Sequence, residues 1–116
     1  MNWYLVKLIF SLEPLKASDK VGRFEEQLRL VSEETHDLAI LRGRRMGKTI
    51  ASDSLKDSGS MEQRRFVDVK EVIAIAEWKD GVELESRRIE AADGESFINS
   101  VLLHSLHLSA RTPVLF

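Results

Sequence analysis

No cysteine occurs in the 116 residues. That absence removes disulfide scaffolds, thiol catalysis and zinc sites built on thiolates, and it points to a reducing compartment, the cytoplasm. A dominant charge is missing too: 17 basic and 19 acidic side chains leave a formal net charge of -2, with a pI near 5.9. No global field therefore favours nucleic acid or an anionic membrane surface. No apolar run approaches the ~20 residues of a membrane span. The apolar start, Trp3 to Leu12, lacks the basic flank and small-residue cleavage site of a signal peptide. With 43% hydrophobic residues, a single domain over 1–116 with one core is expected, carrying a flexible loop at 52–60 and a C-terminal tail at 109–116.

The most suggestive short motif is GRRMGKT, Gly43 to Thr49, which ends like a nucleotide-binding P-loop. A P-loop needs four residues between its glycines so that its backbone N–H groups can wrap a phosphate. Here Gly43 and Gly47 enclose three residues, and Arg42 stands where glycine should be. The stretch before it reads as helix and the stretch after it as loop, the reverse of the strand and helix the motif requires. No specific nucleotide binding is expected.

Along Trp3 to Leu12 the even positions are all apolar, which is the period of a strand. FEEQLRLV repeats the habit, with Phe24, Leu28 and Leu30 expected on the core face and Glu25, Gln27 and Arg29 outward. Thr35 caps a helix with Asp37 in its first turn, and Arg42, Arg44, Arg45 and Lys48 crowd its negative end before Gly47 stops it. A third strand runs from Arg65 to Trp78, a tight turn with Gly81 at positive φ follows, and 82–89 returns as a fourth strand. Asp93 caps a last helix with an apolar stripe of Phe97, Ile98, Val101 and Leu102. Overlaying Thr35 on Asp93 and Ile40 on Ile98 gives a repeated ββα plan. The predicted fold is α+β, ββα-ββα, a four-stranded antiparallel sheet with two helices on one face.

The segments MNWYLVKLIF, FEEQLRL, FVDV and DGVELESR, in this order and spacing, resemble the bacterial domain-of-unknown-function 4288 family. The W-Y-x-x-K-L and E-Q-L-R-L pieces carry most of the likeness, which extends to about Val101. The resemblance implies a small stand-alone bacterial protein. It brings no activity, ligand or catalytic residue to transfer.

Glu26 sits between Phe24 and Leu28 on the expected core face, where a lone carboxylate would have a raised pKa and could transfer protons. The alternative is an open strand end where Glu26 pairs with a base. The cluster Arg42, Arg44, Arg45 and Lys48 could hold a phosphate or an RNA backbone, but no aromatic is interleaved for base stacking. His104 and His107 share a helical face without a carboxylate or third histidine to complete a metal site, and His36 starts the other helix. No catalytic spacing organises the serines, histidines and aspartates, so no enzyme, cofactor or metal is expected.

The sheet face away from the helices is expected to present Trp3, Leu5, Ile9, Val31, Ile73, Ile75 and Ile89 among charges that include Lys7. That exceeds what a monomer normally leaves wet. The leading expectation is a non-enzymatic interaction module that forms a homodimer sheet to sheet, or takes another protein there. A small-molecule sensor or enzyme using Glu26, and a phosphate or RNA binder using Arg42 to Lys48, are the alternatives.

Overall fold

The computed structural model describes residues 1–14, 22–55 and 62–111. Its elements are, in chain order, β1 (Asn2–Pro14), β2 (Arg23–Glu33), α1 (His36–Leu55), β3 (Glu62–Ile75) and α2 (Gly94–Arg111). The class is α+β, but the four-stranded sheet is not formed. Among the described residues there are three antiparallel strands in the order β2-β1-β3. The turn before the expected fourth strand does exist: Gly81 has φ 79° and the Val82 N–H donates to the Lys79 carbonyl at 3.2 Å. Beyond it, 82–89 finds no ladder partner among the described residues. Two contacts hold 78–85 against the face of the sheet instead of its edge: Trp78 stacks on Trp3 and Glu85 reaches Lys7. Met1–Glu85 and Ser86–Phe116 form separate compact units, so the ββα repeat is not realised as one sheet.

β1 is the central strand, and its alternation behaves as the sequence predicts: Tyr4, Val6, Leu8 and Phe10 are buried. β2 is in the opposite phase to the one expected. Tyr4 lies opposite Val31, Val6 opposite Arg29, Leu8 opposite Gln27 and Phe10 opposite Glu25, so these odd β2 residues share the α1 side. The reason is that α1 packs on β1 and β3 through Val6, Val69 and Phe66, which leaves the helix-side surface of β2 to polar groups. Arg29 donates to Gln27 at 2.8 Å, Gln27 donates to Glu25 at 2.6 Å, and Arg64 donates to both Glu25 oxygens at 2.8 and 3.1 Å. Phe24, Leu28 and Leu30 consequently point to the other side.

β3 contains two register shifts against β1, one between Lys7 and Leu8 and one between Ile9 and Phe10. Each adds a residue to β3, and each by itself would turn the rest of the strand over. Together they restore the parity. Phe66, Val69 and Val72 face α1, while Ile73 and Ile75 stand opposite Leu5 and Trp3 on the far side.

Thr35 caps α1 as expected: its Oγ1 accepts from the Leu38 N–H at 3.2 Å and its carbonyl from the Ala39 N–H at 3.1 Å. The helix does not stop at Gly47. Ala39, Gly43, Gly47 and Ala51 recur every four residues and form a small-residue stripe that lets α1 lie close to the sheet. A Cβ on Gly43 would come within 2.6 Å of Val6 Cγ1 and 2.9 Å of Val69 Cγ2, and one on Gly47 would fall onto the Phe66 ring. Close packing replaces the weak helix propensity of the glycines. The basic run therefore lies in mid-helix, and the last turn of α1 contains no base. Of the expected loop at 52–60, residues 52–55 belong to α1 and 56–60 lie outside the described residues. Of the expected tail, 109–111 continue α2 and 112–116 lie outside them.

In the second unit Asp93 caps α2, accepting from the Glu95 and Ser96 N–H groups at 3.1 and 3.4 Å and from Ser96 Oγ at 2.8 Å. The Ser96 hydroxyl, and then its N–H, hold the Asp93 carboxyl below the usual range.

Candidate functional site

Three-stranded order and strand phase together create a second apolar surface, on the side of the sheet away from α1. β1 contributes Trp3, Leu5 and Ile9, β3 contributes Ile73 and Ile75, and β2 contributes Phe24, Leu28 and Leu30. Phe24 is 64%, Leu28 53% and Leu30 40% exposed, so the β2 half of this outer face is open. The β1–β3 half carries the Trp78 ring, stacked on Trp3 with centroids 5.9 Å apart and planes at 21°.

Lys7 stands in the middle of the outer face and is only 3% exposed. Its Nζ is 3.4 Å from Glu85 Oε1 and 3.9 Å from Glu71 Oε2, so the buried ammonium is compensated by two carboxylates. Glu26 and Lys70 pair at 3.0 Å across the same surface. The charges embedded in the apolar patch thus neutralise one another.

Of the residues predicted for this face, Trp3, Leu5, Ile9, Ile73 and Ile75 are brought together on it. Val31 is not: it lies on the α1 side, 1% exposed, because β2 has the inverted phase. Ile89 belongs to the second unit and to no strand, so the fourth-strand position expected for it is not formed. Phe24, Leu28 and Leu30 were missed for the same reason as Val31. Nothing in the sequence signals the burial of Lys7, although its charge on the outer face was legible.

Glu26 does not occupy the core. It lies opposite Ile9 on the outer face, half exposed and paired with Lys70, so burial supplies no proton-transfer group there. The bases of α1 do not converge on one point: Arg42, Arg44 and Lys48 have different surroundings, and Arg45 is exposed. Arg42 donates to the Ser32 carbonyl at 3.1 Å and pairs with Glu33, and Arg44 donates to Asp68 at 3.0 Å. Lys48 lies a turn beyond Arg44, against a pocket considered below. Gly43 and Gly47 have their backbone inside the helix and their Cα atoms against the sheet, a geometry unrelated to a phosphate loop. His36 packs edge-on to Tyr4, and His104 Nδ1 is 2.8 Å from the Ser100 carbonyl. Among the described residues no three ligand-type side chains cluster as a metal would need.

Two carboxylates of the sheet, each bonded to an arginine, have lowered pKa values. Glu25 is held below the usual range, first by the Arg64 hydrogen bonds against the opposing effect of burial, then by Gln27. Asp68 is lowered first by the Val69 N–H at 2.7 Å and then by Arg44. A lowered folded-state pKa means stability that is fully present above the unfolded pKa and lost as pH falls through the folded one. Unfolding by urea should therefore become easier below about pH 4, the ordinary carboxylate range. The deficit of Arg64→Gln relative to wild type should shrink over the same interval, because the variant has already lost the partner of Glu25. A deficit that stays constant down to about pH 2.5 would separate Arg64 from that acid sensitivity.

A family model described as "Domain of unknown function (DUF4288)" matches residues 3–86. The match covers β1, β2, α1, β3 and the segment that returns to Lys7, and ends one residue past the first compact unit, well before Val101. No curated protein and no solved structure matches the chain.

Proposed function

The chain belongs to the DUF4288 family, which supplies no activity to inherit, and we propose that it acts as a non-enzymatic interaction module whose outer sheet face takes a second copy of itself. The observation that carries this reading is the phase of β2. A sheet with one core places its apolar residues toward the helix; β2 directs Phe24, Leu28 and Leu30 away from α1 and gives the helix side to Glu25, Gln27 and Arg29. An apolar face of this extent is what associating surfaces expose. A second copy is favoured as occupant by charge. On the strands, acids and bases of this face pair with one another, Lys7 with Glu71, Lys70 with Glu26 and Arg65 with Glu13, so a copy bearing the same face meets no dominant charge of either sign. A strongly basic or acidic partner would find no matching field.

Sedimentation velocity tests the reading with Leu28→Lys and Leu30→Lys, both in the open β2 half of the face. Both side chains lie on the outer face, so each lysine should insert an unpaired charge into the interface and leave the α1-side core intact. The expected result is a wild-type dimer and two monomeric variants with native circular dichroism. A wild-type chain that stays monomeric at millimolar concentration would overturn the self-association.

A further inference from the structure

We propose that the first unit also binds a small amphipathic oxyanion, a carboxylate or phosphate ester with an apolar body, in a pocket between the last turns of α1 and the start of β3. The pocket measures about 340 Å³, within the range of roughly 300–1,000 Å³ typical of ligand sites. Phe66, Ala51 and Leu55 form its apolar surface, and Lys48, Arg65 and Ser52 supply polar groups at its margin. Arg64 and Glu13 also line it, so three cations meet one carboxylate in a chain whose net charge is -2.

These cations are not equally available. Arg64 is committed to both oxygens of Glu25 and lies 5.8 Å from the centroid of the Phe10 ring, which makes it a fixed positive wall. Lys48 makes no hydrogen bond or ion pair among the described residues. Asp68, which feels the Lys48 charge, is already taken by Arg44 and the Val69 N–H. Arg65 has a 3.4 Å contact with Glu13 and a largely exposed side chain. Lys48 and Arg65 can therefore close on one oxyanion, Arg65 with its planar fork and Lys48 as a point charge. The negative end of the helix dipole acts within the last turn only. The head group thus belongs at Lys48, seven residues before Leu55, and the apolar body belongs against Ala51, Leu55 and Phe66. Lys48, Ser52 and Leu55 place the pocket beside α1, and its Glu13 and Arg65 also border the outer face next to Phe24.

Amide shifts in the isotopically labelled full chain test the assignment, with phenylacetate, phenyl phosphate, inorganic phosphate and phenethylammonium as probes. Phenylacetate, phenyl phosphate or both should shift Lys48, Ser52, Arg65 and Phe66 saturably, and their relative affinities identify which head group the pocket prefers. Inorganic phosphate lacks the apolar body and phenethylammonium lacks the negative charge, so each should bind at least about tenfold more weakly. Lys48→Glu, at an exposed helical position, should keep the fold and lose about tenfold in affinity, whereas Lys48→Arg should retain binding. No saturable shift from either organic anion up to about 10 mM, or unchanged affinity in Lys48→Glu, would overturn the proposal.

Discussion

Replacing Gly47 by leucine should destabilise the chain by about 3 kcal/mol, close to the upper end of what overpacking usually costs. The sign is informative. In an exposed helix the same change stabilises by roughly 0.8–1 kcal/mol, because glycine is a poor helix former. Here a Cβ at position 47 already falls onto the Phe66 ring, and α1 can only accommodate it by lifting off β3. Gly43→Ala should also destabilise, since its Cβ would meet Val6 and Val69, but those aliphatic tips can yield by small rotations. In a Phe66→Ala background the Gly47→Leu penalty should largely vanish, a coupling that a double-mutant cycle in urea would measure. Additive effects of the two changes would remove the helix–sheet contact as the reason these glycines lie within α1.

Lys7→Glu should be of similar size, about 3–5 kcal/mol, the usual consequence of leaving a buried charge without its partner. Lys7 is 3% exposed and faces Glu71 and Glu85, so the variant would gather three carboxylates around one buried point. Lys7→Met should be much milder: it keeps the apolar stem, and the two carboxylates, each partly exposed, can turn to water. The pH dependence distinguishes charge from shape. Mutually repelling carboxylates have raised folded-state pKa values, so stability is present below the unfolded pKa and lost as pH rises. The Lys7→Glu variant should thus recover toward Lys7→Met as pH falls toward about 4. A deficit that does not change with pH would make it a packing defect and would deny Lys7 its role as the charged anchor of the outer face.

The strand phases explain what could and could not be read from the residues alone. β1 was legible because it is central: Tyr4, Val6, Leu8 and Phe10 are covered by α1, and period two alone marks them. β2 is an edge of the sheet that α1 leaves largely uncovered, so the rule that apolar residues face the helix gave the wrong side for Phe24, Glu26, Leu28 and Leu30. In β3 the two bulges cancel, so Ile73 and Ile75 were placed correctly by an alternation that Val69 breaks on the way. The fourth strand failed because the turn at Gly81 is local, whereas the fate of 82–85 depends on Lys7, 78 residues away from Glu85 in sequence. Glycine at 47 read as a helix stop because its partner, Phe66, lies on another element. Both caps, Thr35 and Asp93, were legible, since capping involves only neighbours in sequence.

The central claim is that the outer face, not α1 or α2, is where a second copy docks, and isotope-filtered nuclear Overhauser spectra on a mixed labelled and unlabelled sample test it most directly. Intermolecular contacts are expected from the methyl groups of Leu28, Leu30 and Ile73 to the same face of the partner, and they should disappear in Leu28→Lys. Intermolecular contacts confined to α1 or α2, with Leu28 and Leu30 showing none, would contradict the account.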